Sequence, residues 1–191
     1  MRVAGGTLRG RRLQLGRARG TRPTSERARE GLFDWLGERV TGRTVLDLYA
    51  GSGALGIEAL SRGAERAVFV ERSRKALAAL RLNCRELGLE GITRIVPGPA
   101  GAALARLARE GQSFDLVLAD PPYGSDDWAR LAKAGNLVDI LAPAALLLLE
   151  RAARDEPWNG APGLIRRDRR CYGETAFDWY DQTPQEEGRA E

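Results

Sequence analysis

Histidine is absent from all 191 residues. Ser-His-Asp and Cys-His nucleophilic catalysis are thereby excluded, as is any metal site that needs an imidazole. Cysteine is nearly absent too: Cys84 and Cys171 are the two present, and their separation fits no metal-binding pair. Cys84 falls on the apolar stripe of an expected helix, where a buried free thiol is the ordinary reading. Long hydrophobic runs are missing as well. The longest uncharged apolar stretch, residues 140–149, is broken by Pro143 and too short to cross a bilayer. The opening MRVAGG lacks the apolar core of a secretory signal, so a cytoplasmic protein is expected. Chemistry in this chain must come from carboxylates, hydroxyls, backbone groups or a cofactor, and no metal is expected.

Lysine is scarce: of 30 basic residues only Lys75 and Lys133 are lysines, the rest being arginines. A GC-rich genome is one source of such a bias, but the distribution says more than the total. Residues 1–30 hold nine arginines (2, 9, 11, 12, 17, 19, 22, 27 and 29) against Glu26 and Glu30, a surplus of seven where the whole chain carries +4. Charge gathered in this way marks an anionic partner better than dispersed charge does. The length allows one domain with a real core. A single domain over residues 1–183 is expected, with a basic extension over about 1–30 and a frayed tail over the polar, acidic residues 184–191.

Thr24 or Ser25 can cap a first helix, whose residues Ala28, Leu32, Trp35 and Leu36 share one face. A short strand-like alternation precedes it at residues 12–15. From residue 44 onward strands and helices alternate. Strands are predicted at 44–49, 67–71, 92–96, 114–119 and 145–150, with two closing segments at 164–169 and 175–180. Helices are predicted between them: one ending at Gly63, one capped by Ser73 and ending at Gly88, one over 102–110, and one over 127–141. Strands that are apolar throughout and separated by helices call for a parallel sheet covered on both faces. The expectation is an α/β, Rossmann-like fold: a mostly parallel seven-stranded sheet, helices on both faces, and a C-terminal antiparallel hairpin.

Ligands of such sheets sit beyond the carboxyl ends of the strands, and the informative loops all fall there. GSGALG at residues 51–56 follows the first strand and opens a helix. It is a literal G-x-G-x-x-G, in which Gly51, Ser52 and Gly53 let the backbone approach a ligand closely. Glu71 ends the second strand twenty residues after Gly51, where a carboxylate can accept hydrogen bonds from ribose hydroxyls. Arg72 follows it directly. The pair points to an adenosine-containing cofactor without choosing which. Asp47 lies inside the first strand, two residues before Tyr49, and a charge there calls for a partner or a ligand. VLDLYAGSG at residues 45–53 resembles the first motif of class I methyltransferases, where this segment surrounds the methionine part of S-adenosylmethionine.

Asp120-Pro121-Pro122-Tyr123 leaves the fourth strand and is the most specific signal in the chain. It resembles the loop of amino-directed methyltransferases, and the chemistry explains the residue types. An exocyclic base amine is a weak nucleophile because its lone pair is delocalised into the ring. The Asp120 carboxylate can accept a hydrogen bond from one N–H and the Pro121 carbonyl from the other, aiming the lone pair at the methyl donor. Pro121 and Pro122 stiffen the loop and remove competing donors. Tyr123 offers a flat face on which an extruded base can stack, worth roughly 1–3 kcal/mol.

Such loops serve adenine, cytosine, guanine and glutamine acceptors alike. The N-terminal motifs are more selective: GGTLRGRRL at residues 5–13 and RPTSERARE at 22–30, then Leu32 and Phe33. With 47–56, EALS at 58–61, the Asp120 loop and Tyr172-Gly173, they resemble the RsmD family of ribosomal RNA guanine-N2 methyltransferases over about residues 2–180. The resemblance implies S-adenosylmethionine as cofactor and methyl transfer to a guanine N2 amine in small-subunit (16S) ribosomal RNA. It further implies a partly or fully assembled subunit as partner; a monomer is expected. Arg9, Arg11, Arg12, Arg22, Thr24 and Arg27 are then the expected RNA contacts. One departure concerns the third strand's end, where Pro99-Ala100 replaces the usual acidic or amide residue near the adenine; backbone contact at Ala100 is expected there instead. A DNA amino-methyltransferase on the same core, a nicotinamide oxidoreductase using the glycine loop, and an inactive RNA-binding relative are the alternatives.

Overall fold

Apolar strands and amphipathic helices alternate along the chain, and the computed structural model assembles them into one sheet between two helical layers. The structure describes residues 1–16, 26–122, 127–133, 136–160 and 162–182. Helix α1 (Glu26–Leu36) leads into β1 (Thr44–Leu48), α2 (Ala54–Ser61), β2 (Arg66–Glu71), α3 (Arg74–Glu86) and β3 (Thr93–Pro97). Helix α4 (Ala100–Arg109), β4 (Phe114–Ala119), α5 (Asp127–Lys133) and α6 (Asn136–Asp139) follow, and β5 (Leu141–Ala152), β6 (Leu164–Tyr172) and β7 (Thr175–Gln182) complete the chain. The strand order is β3-β2-β1-β4-β5-β7-β6. The first five strands run parallel, while β7 lies antiparallel between β5 and β6. The expected fold and its closing hairpin are thus observed. The order in which strands are added reverses between the parallel strands β1 and β4, which opens a crevice at the carboxyl ends of those two strands.

Alternate residues of each strand feed opposite cores. Val45, Leu116, Leu118 and Leu148 pack with α1, α2 and α3, whereas Leu46, Leu48, Val117, Leu147 and Leu149 pack with α4, α5 and α6. Helix α3 follows its sequence signals. The Ser73 hydroxyl accepts from Ala76 N at 3.4 Å, and Leu77, Leu80 and Cys84 are buried. Gly88, at φ +70°, ends the helix, with Leu89 N donating to Cys84 O at 2.8 Å and Gly88 N to Arg85 O at 3.1 Å, a Schellman pair.

The helix predicted over 127–141 is the main correction. The structure has α5 and α6 instead, and Leu141 belongs to β5. Pairing decides this: Leu141 stands opposite Phe114 on β4, and Phe114 N donates to Ile140 O at 2.8 Å. A sheet ladder overrides a helical pattern that the sequence around Gly135 supports weakly. The alternation at 12–15 yields a single antiparallel bridge, Arg2 to Arg12, rather than a strand. The proposed cap, Thr24 or Ser25, and the tail lie outside the described residues. Among the described residues no helix is long and apolar enough to cross a membrane.

Candidate active site

The loop after β1 is held in a shape that glycine permits. Tyr49, Gly51 and Gly53 all take positive φ, at 62°, 57° and 84°. For Tyr49 this conformation costs about 1–2 kcal/mol, strain of the kind that gathers at functional sites. Gly53 N donates to Ala50 O at 2.7 Å, closing the turn into α2. A Cβ on Gly53 would lie 2.5 Å from Leu80 Cδ1, so Leu80 would have to shift and the positive φ would be strained; a Cβ on Gly51 would meet only Tyr49 O, at 4.0 Å. The loop is therefore packed tightly on its inner side at Gly53 and open at Gly51.

Glu71 gathers the neighbouring loops. Its Oε2 accepts from Gly51 N at 2.8 Å and its Oε1 from Ser73 N at 2.6 Å, while its backbone carbonyl accepts from Gly98 N at 2.9 Å. One residue thus ties together the loops after β1, β2 and β3. Each carboxylate oxygen keeps a second lone pair, so acceptor capacity is left for ribose hydroxyls. Arg72 beside it is exposed. Ala100, buried, starts α4 two residues beyond Gly98, with Pro99 as the cap. Open space at Gly51 beside an acid with spare lone pairs fits an adenosine-bearing cofactor.

Asp47 faces the α1–α3 side beneath this loop and is fully buried, its Oδ2 accepting from Gly56 N at 2.9 Å. Burial pushes its carboxyl up to about 7; the Gly56 N–H opposes this, and Glu71 and Glu150 add to it. A carboxyl raised in the folded state stabilises the fold below its unfolded value and ceases to do so as pH rises through the folded one. Stability of the cofactor-free protein is therefore expected to fall between about pH 4 and about pH 7, by on the order of a few kcal/mol. Asp47→Asn should flatten that slope and raise the melting temperature at pH 8. Parallel melting profiles for both proteins would show that Asp47 does not carry the effect.

Asp120 follows β4, and its N–H points to Leu48 O of β1 at 3.4 Å, which sets the start of the Asp-Pro-Pro segment beside the glycine loop. Loss of water raises its carboxyl well above the usual range, with Glu150 and then Asp47 adding to the rise. Three carboxylates thus gather where β1, β4 and β5 end. Glu150, completely enclosed at 1% exposure, was not singled out in the sequence, because its fellow acids come from strands far apart in the chain. Pro121 is buried and Pro122 half-buried. Tyr123 lies outside the described residues. Among the described residues no group of three or more acidic or cysteine side chains is arranged to hold a metal ion.

The described start of the basic segment, residues 1–16, is docked to the domain. Glu58 of α2, fully buried, is its anchor. Glu58 Oε2 accepts from Ala4 N at 2.8 Å and Arg29 Nε at 3.1 Å, and Oε1 accepts from Gly5 N at 2.7 Å and Arg62 Nε at 3.0 Å. Arg29 Nη2 also donates to Arg2 O. Arg29, counted above with the surface charge, is wholly buried and paired, so the surplus presented to a partner is smaller than the sequence suggests. Arg9, Arg11, Arg12 and Arg27 are exposed. Arg11 Nη2 also donates to Glu86 O at 2.8 Å. Arg22 and Thr24 lie outside the described residues. The Gly5-Gly6, EALS and Tyr172-Gly173 motifs acquire a shared purpose here. A Cβ on Gly6 would lie 1.8 Å from Ser61 O, Ser61 Oγ accepts from Leu8 N at 2.9 Å, and Tyr172 Oη donates to Gly31 O of α1 at 2.8 Å.

The strand order, the glycine loop at the switch point and the Asp-Pro-Pro segment beside it define a Rossmann-like methyltransferase of class I. Solved structures share the architecture. That of yhhF from Escherichia coli is 33% identical, with a TM-score of 0.80 over 97% of this chain and 99% of that one. SMU.776, whose crystal structure is complexed with SAH, is 15% identical, with a TM-score of 0.67 over 85% of this chain and 50% of that one; it shares the fold. The chain belongs to the RsmD family: the family described as "Conserved hypothetical protein 95" matches residues 1–181. Ribosomal RNA small subunit methyltransferase D of Escherichia coli K12 is 35% identical over 199 aligned positions, covering 100% of this chain and 94% of that protein. Its namesake in Haemophilus influenzae is 34% identical, covering 82% and 81%.

Proposed function

We propose that the protein transfers a methyl group from S-adenosylmethionine to the exocyclic N2 amine of a guanine in small-subunit (16S) ribosomal RNA. The observation that carries this reading is the juxtaposition of the Asp120 segment with the glycine loop, across the β1–β4 switch point. The names of the full-length relatives support ribosomal RNA as the substrate class.

In this reading Gly51, Ser52, Gly53 and Tyr49 hold the methionine part of the cofactor, Glu71 takes the ribose hydroxyls, and Asp47 supports the loop from below through Gly56. Arg72 flanks the ribose and Ala100 borders the adenine. The bound cofactor supplies an electrophilic methyl group. Asp120 accepts a hydrogen bond from the guanine amine and takes up the proton that the amine sheds. The Pro121 carbonyl orients the second N–H, Pro122 keeps the segment stiff, and Tyr123 stacks on the extruded base. Extrusion costs a few kcal/mol, so a loop or strained guanine is the expected target.

Arg9, Arg11, Arg12, Arg22, Thr24 and Arg27 hold RNA phosphates. Replacing Arg9, Arg12 and Arg27 together by alanine is expected to weaken RNA binding and to lower the salt slope by about two to three. An unchanged slope in a salt titration would remove them from the interface. The reading as a whole is tested with labelled S-adenosylmethionine and three substrates: undermethylated small subunits, naked ribosomal RNA and duplex DNA. Label recovered in N2-methylguanosine from RNA is the expected result. Label confined to methylated adenine or cytosine of DNA would overturn it.

A further inference from the structure

Asn83 is fully buried in the last turn of α3, and its carboxamide bonds only to backbone. Oδ1 accepts from Gln14 N at 2.7 Å, while Nδ2 donates to Gln14 O at 3.0 Å and to Ser52 O at 2.9 Å. Ser52 is the central residue of the glycine loop. Gln14 lies on the N-terminal segment just before the stretch that contains Arg22.

Two further contacts show where that segment runs. Arg11 reaches the carboxyl end of α3 at Glu86 O. Gly16 lies against the first turn of the same helix, where a Cβ would come 2.6 Å from Ala76 Cα and 2.7 Å from Lys75 O. That turn follows directly on the Glu71–Ser73 contact at the sheet's carboxyl edge. The segment is thus splinted along α3 and heads for the cofactor side of the site, and at Asn83 the same side chain also grips the glycine loop.

Building on the methyl-transfer reading, we propose that Asn83 is a positioning residue that joins the glycine loop and the N-terminal RNA-binding segment into one unit. Filling the cofactor pocket fixes Ser52, Ser52 fixes the carboxamide, and the carboxamide fixes Gln14. Linkage makes the effect reciprocal: RNA held by the segment tightens the cofactor by the same factor. Only an amide suits the position, because two carbonyls need donors and one N–H needs an acceptor.

The test uses the full chain, S-adenosylhomocysteine and 16S ribosomal RNA. Amide exchange at Gln14 and its neighbours is followed with and without S-adenosylhomocysteine, and S-adenosylhomocysteine affinity is measured with and without RNA. In the wild type, S-adenosylhomocysteine slows exchange there, and RNA tightens its binding by about five- to tenfold. In Asn83→Ala the exchange response disappears and the affinity ratio falls to about one, while S-adenosylhomocysteine alone binds within about threefold. Gly16→Ala leaves Asn83 in place but forces the segment off α3; it gives the same loss of coupling and serves if Asn83→Ala does not fold. A purely structural role would lower the melting temperature and leave the ratio intact, which overturns the proposal. Bound S-adenosylhomocysteine with no response at Gln14 also overturns it, and leaves the methyl-transfer reading standing. A wild-type chain that binds no S-adenosylhomocysteine overturns both.

Discussion

Asp120→Ala is expected to lower the rate of methyl transfer by about 10²–10³-fold while S-adenosylhomocysteine affinity stays within a few-fold. The split follows from position. Glu71 and the glycine loop tie the β1, β2 and β3 ends together without Asp120, which begins the loop after β4. On the proposed reading, removing its carboxylate takes away the acceptor that orients the amine and leaves the cofactor's expected contacts in place. A second variant separates hydrogen bonding from charge. Asp120→Asn keeps an oxygen acceptor, so a smaller loss is expected, on the order of tenfold. The pH profile distinguishes them further. Asp120 is held above the ordinary carboxylate range by burial, then by Glu150 and Asp47. Taking up the proton that the amine sheds requires the ionised carboxylate, so the wild-type rate should climb with pH through a window above that range, and the climb should vanish in Asp120→Asn. Loss of S-adenosylhomocysteine binding in Asp120→Ala would show that the residue belongs to the cofactor pocket instead.

Glu58→Ala should cost about 3–5 kcal/mol of stability, the usual penalty for removing one partner of a buried ion pair. Four donors converge on this carboxylate, and its loss strands the Arg29 guanidinium at zero exposure. Arg29 Nη1 already finds no partner among the described residues, so the group has little to fall back on. Replacing both charges, as Glu58→Leu with Arg29→Met, should recover most of the global stability, since the desolvation cost goes with them. It should not recover the docking of the first residues, because Ala4 N and Gly5 N still lose their acceptor. The measurement is therefore double: chemical denaturation for stability, and limited trypsin digestion for cleavage after Arg9, Arg11 and Arg12. The expected outcome is a double variant that melts near the wild type yet is cut quickly at these arginines. A single Glu58→Ala variant within 1 kcal/mol of wild type (about the worth of one ordinary hydrogen bond) and resistant to trypsin would remove Glu58 as the anchor.

Much of the candidate site is legible in the sequence because its parts are local. The glycine loop, Glu71 and the Asp120 tetrapeptide each declare themselves by residue type and by place at a strand end, and the alternation of strands and helices brings those ends to one edge. Capping and stop signals of α3 are local too, and Ser73 and Gly88 behave as the pattern requires. Pairing competition is not local, which is why residues 127–141 read as one helix while Leu141 joins β5 opposite Phe114.

Charge shows the same division. Nine arginines in the first thirty residues are a fact of the sequence, and they determine that this end of the chain is basic. Which of them face a partner was decided by packing: Arg29 turns inward to Glu58 across 29 positions of sequence, while Arg9, Arg12 and Arg27 stay exposed. Asn83 and Glu150 carry no local mark, and Glu58, although it opens the EALS motif, carries none of its part as an anchor. Their partners lie at separations such as the 53 positions between Gly5 and Glu58 or the 69 between Gln14 and Asn83. A buried polar group takes its meaning from what satisfies it, and for these residues the chain supplies the partner only after it has folded.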